Sequence, residues 1–197
     1  MKDWKGNKHS TYVTLGASSH AQTERAWRDY YATDPQAAEL LLKYEYFEGD
    51  IWECACGEKN LSKVFERHGF NVRSSDIEDR CGNEVLDFLS IENWSPYSGN
   101  IITNPPYALA TEFVYRALSL VGGGKKVAMF LRTLFLEGRE RKELFRQFPP
   151  KVIYVFSGRI SCLMNNEGEF GKGGAQSYSW FVWEKGYKGD TVVKWIN

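Results

Sequence analysis

The chain has 197 residues, of which 43% are hydrophobic, 25% charged and 15% aromatic; this is the make-up of a globular domain and excludes a disordered or low-complexity chain. Its 25 Lys and Arg balance 25 Asp and Glu, so overall charge gives no reason to expect a polyanionic partner. No apolar run reaches the roughly 18 residues of a membrane span, and the polar, basic residues 1–10 lack the apolar core of a secretion signal, which predicts a soluble, cytoplasmic protein.

The charge is unevenly placed. Residues 1–120 carry 12 basic and 18 acidic side chains, net −6, whereas residues 121–197 carry 13 and 7, net +6. The basic part suits a polyanion and the acidic part a cationic or hydroxyl-rich cofactor; an uneven surface with no partner is the plainer alternative. The four cysteines are too few for a disulfide framework, and Cys54-Ala55-Cys56 leaves one residue between thiols where zinc ligands usually have two to four. Reduced, mostly buried thiols and no metal are expected.

In chain order, residues 1–28 read as a polar arm or flap with one apolar stretch at Tyr12-Val13-Thr14-Leu15, and a single folded domain is expected over 29–197. Asp34 followed by Pro35 starts a helix, since Asp caps free amides and Pro is tolerated at the first helical position; it runs to near Phe47, before Gly49. Residues 51–55 form a short buried strand that breaks at Gly57 and feeds a helix over 61–68. Residues 70–76 alternate like a second strand ending on Asp76, a short unit follows at 85–89, and 100–103 is a strand entering Asn104-Pro105-Pro106-Tyr107.

Residues 111–121 have helical spacing, 126–131 form a central strand, and 138–148 form a basic amphipathic helix stopped by Pro149-Pro150. Strands at 152–156 and 178–183 flank a Gly- and Asn-rich loop over 161–176, and the alternation of Trp180, Phe181 and Trp183 marks them as core and edge packing. Alternating strands and helices predict a doubly wound, Rossmann-like α/β fold. Its sheet is expected to be mostly parallel and seven-stranded, with an antiparallel edge from the closing strand pair and ligands at the carboxyl ends of the strands.

The sharpest chemical feature is Asn104-Pro105-Pro106-Tyr107 directly after a buried strand. Two prolines fix the backbone direction, so the Asn104 side-chain oxygen and the Pro105 carbonyl become two fixed acceptors for one amine. An amine on an aromatic ring is a poor nucleophile because its lone pair is delocalised. Holding both N–H bonds out of the ring plane frees that lone pair to attack a methyl, and Tyr107 can stack on the planar group. A proline-rich turn with Asn104 as a local cap and Tyr107 as packing is the plain alternative.

These four residues resemble the catalytic motif of S-adenosylmethionine-dependent amino-methyltransferases, above all the N6-adenine DNA methyltransferases. The resemblance runs from Asp29 to Trp183. Asp29-Tyr30-Tyr31-Ala32-Thr33-Asp34-Pro35 is similar to the family's amino-terminal cofactor motif, which implies that Tyr31 and Thr33 touch the methionine part of the cofactor. Glu53-Cys54-Ala55-Cys56-Gly57 resembles the acidic, glycine-turn motif, Asp76 the acid on the ribose hydroxyls, and Asp87-Phe88 the adenine contact. The chain also resembles small methyltransferase-like proteins of phages and prophages.

The residues have their own reading beside that resemblance. Gly57 permits a close backbone approach, Glu53 suits a cationic group, and Asp76 at a strand end can accept two hydroxyls. Lys59 stands where the family usually has a second glycine, and the three-glycine dinucleotide fingerprint is absent. The resemblance implies S-adenosylmethionine as cofactor and DNA adenine as substrate, with Asn104, Pro105, Pro106 and Tyr107 at the reacting centre. Arg139, Arg141, Lys142, Arg146 and Lys172 are expected to contact the DNA backbone, the flipped base being a few kcal/mol uphill. RNA adenine, a protein glutamine, or cofactor and DNA binding without catalysis are the alternatives carried with it.

Overall fold

Helix starts and strand alternation are where the sequence acts most directly on this fold. In the computed structural model, which describes residues 31–90, 96–164, 169–170 and 176–197, the Asp34 carboxylate accepts the Gln36 N–H at 2.9 Å and Pro35 opens the first helix. Along the chain lie β1 (Tyr31–Thr33), α1 (Pro35–Tyr44), β2 (Ile51–Glu53), α2 (Ser62–Arg67), β3 (Val72–Asp76), β4 (Glu84–Val85) and β5 (Asn100–Thr103). There follow α3 (Ala110–Leu120), β6 (Lys126–Arg132), α4 (Lys142–Gln147), β7 (Val152–Phe156), β8 (Cys162–Met164), β9 (Tyr178–Glu184) and β10 (Val192–Ile196). The apolar stretch at residues 12–15, the start of the Asp29 motif and Lys172 lie outside the described residues.

The main sheet has the order β10-β7-β9-β6-β5-β2-β3-β4. Successive side chains of a strand point to opposite faces, and both faces here are apolar. Trp52, Ile101, Val127, Met129, Phe181 and Trp183 pack with Phe113, Val114 and Ala117 of α3. Ile51, Ile102, Ala128, Phe130, Trp180 and Val182 pack on the other face with Ala37, Ala38 and Leu41 of α1 and Val64 and Phe65 of α2. Helices on both faces make this the doubly wound α/β architecture that the alternation predicts.

The structure corrects the details of the sheet. Among the described residues it has eight strands, not seven, and the antiparallel strand is inside: β9 pairs antiparallel with both β6 and β7, and β10 lies beyond β7, parallel to it. The reason is burial, since Trp180, Phe181, Val182 and Trp183 have essentially no exposure and need neighbours on each side. The two indoles are also anchored, Trp180 Nε1 donating to the Ala37 carbonyl at 2.8 Å and Trp183 Nε1 to the Phe148 carbonyl at 2.9 Å.

Three further expectations change. The loop expected over 161–176 begins as strand β8, which pairs antiparallel with β1 through Thr33 and Cys162, Ala32 and Leu163, and Tyr31 and Met164. The basic helix expected over 138–148 divides into a 3-10 turn, Arg139–Arg141, and α4. Arg141 turns inward there, its guanidinium donating to the Phe135 carbonyl at 2.8 Å and to the Glu137 carbonyl. The first helix stops at Tyr44 rather than near Phe47, because Glu45 is extended and the Tyr154 hydroxyl takes the Tyr44 carbonyl at 3.0 Å. No helix among the described residues is long and apolar enough to cross a membrane.

Candidate active site

A cavity of about 200 Å³ opens at the carboxyl ends of β2, β3, β5 and β6, with β1 as a further wall. Of the residues singled out in the sequence, Tyr31, Thr33, Glu53, Ala55, Asp76, Asn104, Pro105, Pro106 and Tyr107 line it together. Cys54, Gly57, Asp87 and Phe88 are not on its wall. Phe88 is buried, edge-on to Trp52 at 5.3 Å between ring centroids and stacked on Phe113 at 5.0 Å, while Asp87 accepts the Leu89 N–H at 3.0 Å.

The turn after β2 is built around a carboxylate. Gly57, at φ +51°, donates its N–H to Asp76 Oδ2 at 2.8 Å, and Asp76 Oδ1 accepts the Glu78 N–H at 3.2 Å. Both oxygens keep lone pairs for a ligand, now with a fixed direction. Lys59 adopts φ +61°, the left-handed conformation that favours glycine, and its ammonium reaches the Gly82 carbonyl at 3.1 Å. The missing second glycine therefore leaves the turn intact, with a lysine under backbone strain in its place. Cys56 and Cys81 both donate to the Gly57 carbonyl, at 3.7 and 3.5 Å. All four cysteines are free, Cys81 is exposed, and burial pushes the Cys54 thiol well above its ordinary range.

Glu53 closes the floor. Its Oε2 accepts the Ser62 N–H at 2.8 Å and also the Ser62 hydroxyl, which in turn lies 2.6 Å from Ser74 Oγ. Burial outweighs those bonds and raises its carboxyl to about 8, so it is held largely protonated at neutral pH until a cation approaches. Ser62 has no chemical motif around it in the sequence, and only the packing of α2 against β2 reveals its role.

The Asn104 amide is oriented by β1. Its Nδ2 donates to Thr33 Oγ1 at 2.8 Å and toward the Tyr31 carbonyl at 3.4 Å. A carbonyl oxygen can only accept, so the atom facing Tyr31 is fixed as nitrogen. Asn104 Oδ1 is thereby left buried with no donor. Such an orphaned acceptor costs roughly 1–3 kcal/mol.

Tyr107 opens a 3-10 turn, its hydroxyl 3.6 Å from Cys162 Sγ, and burial pushes its phenol well above the ordinary range. Its ring is flanked by Tyr31 and Tyr178 at 6.1 and 6.0 Å and by the Arg132 guanidinium at 4.8 Å. The arginine occupies ring surface that the sequence reading reserved for a substrate base. Arg132, Arg80, Ile77, Asn60 and Leu61 also line the cavity and were not singled out. Ile77 follows Asp76 directly and is 44% exposed on the cavity wall. Of the basic helix residues, Arg141 is spent on carbonyls and Arg146 pairs with Glu143 at 2.6 Å.

No family model and no curated protein matches this chain. Solved structures do. A proposed RNA methyltransferase from Pyrococcus horikoshii superposes with a TM-score of 0.60 at 14% identity, over 92% of this chain and 99% of that one. The fold is that of the class I S-adenosylmethionine-dependent methyltransferases. A proposed member from Listeria monocytogenes gives a TM-score of 0.55 at 15% identity, over 95% of this chain and 71% of that one. A predicted O-methyltransferase from Agrobacterium tumefaciens gives 0.57 at 14% identity, over 82% of this chain and 85% of that one. Within this class I fold, the cavity takes the place where open α/β sheets bind ligands, beyond the carboxyl ends of the strands.

Proposed function

We propose that this chain binds S-adenosylmethionine and methylates the exocyclic amine of adenine, with DNA as the substrate. The observation that carries the reading is the buried, donorless Oδ1 of Asn104, a residue that lines the cavity of a class I methyltransferase fold. An amine with two N–H groups satisfies that acceptor and the Pro105 carbonyl at once.

The residues present fit the cofactor. Asp76 has a carboxylate pinned by two backbone amides and suits a pair of ribose hydroxyls, with Ile77 beside it for an adenine ring. Glu53 offers a carboxyl that ionises when a cation is near, and Tyr31 and Thr33 line the same cavity. S-adenosylmethionine supplies a methyl group on a sulfonium centre, which needs no activation by the protein.

The chain's task is then to prepare the nucleophile. Asn104 Oδ1 and the Pro105 carbonyl hold the two N–H bonds out of the plane of the ring and expose the nitrogen lone pair. Thr33 keeps the Asn104 carboxamide from rotating, and the aromatic group of Tyr31, Tyr107 and Tyr178 borders the space for the base. No residue has to remove a proton before methyl transfer, because the alkylated nitrogen loses its proton afterwards.

Transfer of a labelled methyl group from S-adenosylmethionine to unmethylated DNA, total RNA and cell protein in parallel tests this. Label in DNA that is lost with Asn104→Ala supports it; label only in RNA or protein keeps the chemistry and replaces the substrate. Cofactor binding without label anywhere overturns the enzymatic reading.

A further inference from the structure

Arg132 is the last residue of β6 and lies on the cavity wall, in register with Tyr178 of β9. Its guanidinium carbon sits 4.8 Å from the centre of the Tyr107 ring, at the Asn104-Tyr107 end of the cavity. Its Nε is buried and has no hydrogen-bond partner, and among the described residues no carboxylate lies within ion-pair distance of it.

The contrast with its neighbours is informative. Arg80, the other arginine on the same wall, is neutralised by Glu78 at 2.8 Å, and Arg73 by Glu84 at 2.7 Å. A partly buried cation that is left unpaired is costly, and the cost is recovered when a ligand anion arrives. Stacking on Tyr107 holds the guanidinium plane without using its N–H groups. With Nε buried, the end-on fork of the two terminal nitrogens is the one that matches two oxygens of one phosphate or carboxylate.

We infer that Arg132 is an anchor for a substrate phosphate, which it holds beside the base whose amine meets Asn104. This rests on the adenine reading for the base but not for the anion. The phosphate is that of a nucleotide unit, whether in a strand or free. The methionine carboxylate of the cofactor is the competing anion, and the position of Arg132 over Tyr107 favours the substrate end.

The test uses the full chain saturated with S-adenosylhomocysteine. Calorimetry compares deoxyadenosine 5′-monophosphate with deoxyadenosine, and a thermal-shift titration uses inorganic phosphate, for wild type, Arg132→Gln and Arg132→Lys. The expected result is nucleotide binding about tenfold or more tighter than nucleoside binding in the wild type. Phosphate stabilisation should accompany it; both effects vanish in Arg132→Gln and partly return in Arg132→Lys, with S-adenosylhomocysteine affinity unchanged.

If inorganic phosphate binds through Arg132 while neither adenine compound binds, the anchor stands and the adenine reading falls. If the wild type shows neither phosphate stabilisation nor a nucleotide preference, or Arg132→Gln retains them, the anchor is wrong. Loss of S-adenosylhomocysteine affinity in Arg132→Gln would assign the residue to the cofactor carboxylate and overturn the inference.

Discussion

Asn104 gives its amide nitrogen to Thr33, 2.8 Å away, and so turns its own carbonyl oxygen into a buried acceptor with no donor. Two segments 71 positions apart in the chain meet in that bond. The short β1 strand therefore does more than border the cavity: it sets which way the carboxamide faces.

Thr33→Val tests this directly, since it keeps the shape of the side chain and removes the acceptor. With its amide released, Asn104 should spend less time in the productive orientation. Turnover is expected to fall about tenfold or more, equivalent to about 1.4 kcal/mol of transition-state stabilisation. Thermal stability should change by about 1 kcal/mol or less. Steady-state kinetics and a denaturation curve on the same preparation separate the two effects.

Glu53 predicts a pH dependence with a definite sign. Its folded carboxyl is raised to about 8 from an ordinary value of 4.5, so the folded state binds the proton more tightly than the unfolded chain. Stability from this group is fully present below the unfolded value and is lost as pH rises through about 8. Glu53→Gln should flatten that decline, which urea titrations between these limits would show.

The same shift bears on the cofactor. A sulfonium or ammonium group near Glu53 favours the ionised carboxylate, so binding at pH 7 should release up to about one proton. Calorimetry of S-adenosylmethionine binding in buffers of different ionisation enthalpy measures the release. Equal proton release by wild type and Glu53→Gln would separate Glu53 from the cationic part of the cofactor.

Lys59 carries strain that a glycine would relieve. The left-handed conformation costs a side-chain-bearing residue roughly 1–2 kcal/mol, and the freedom of glycine in the unfolded chain returns about 0.5–1 kcal/mol of that. Lys59→Gly is expected to leave stability unchanged or raise it by about 1 kcal/mol, whereas Lys59→Val should cost about 2 kcal/mol. Chemical denaturation of both variants decides between a strained turn and an adapted one.

The parts of this structure that could be read in the sequence are those where burial writes a pattern. Asn100–Thr103 and Val152–Phe156 are strands with the expected bounds: Val152–Phe156 is an unbroken apolar run, and Asn100–Thr103 is an Ile101-Ile102 pair that leads into the proline turn. By contrast β10 is apolar at Val192, Val193, Trp195 and Ile196 yet keeps only Ile196 buried, with Trp195 at 69% exposure, so it is held as an edge strand by its pairing with β7 and not by burial. Strands β1 and β8 have three residues each, and they exist through pairing with one another, β1 beside the cavity.

The site divides in the same way. Asn104, Asp76 and Glu53 stand at strand ends in a recognisable order, and the fold brings them to one cavity. Arg132 ends an apolar strand just as they do, but a basic residue there also reads as an ordinary strand terminus. Its meaning comes from what it lacks among the described residues, a hydrogen-bond partner for Nε and a carboxylate at ion-pair distance, and that is a property of three-dimensional surroundings. Phe88 shows the reverse: the motif position is legible, yet its ring is enclosed by Trp52 and Phe113.

The most direct measurement is nucleoside analysis by mass spectrometry of unmethylated DNA incubated with S-adenosylmethionine and either wild type or Asn104→Ala. The account predicts N6-methyldeoxyadenosine with the wild type and a loss of about a hundredfold or more in the variant, with cofactor affinity retained. Methylated adenine formed equally well by Asn104→Ala, or none formed by a wild type that binds the cofactor, would contradict it.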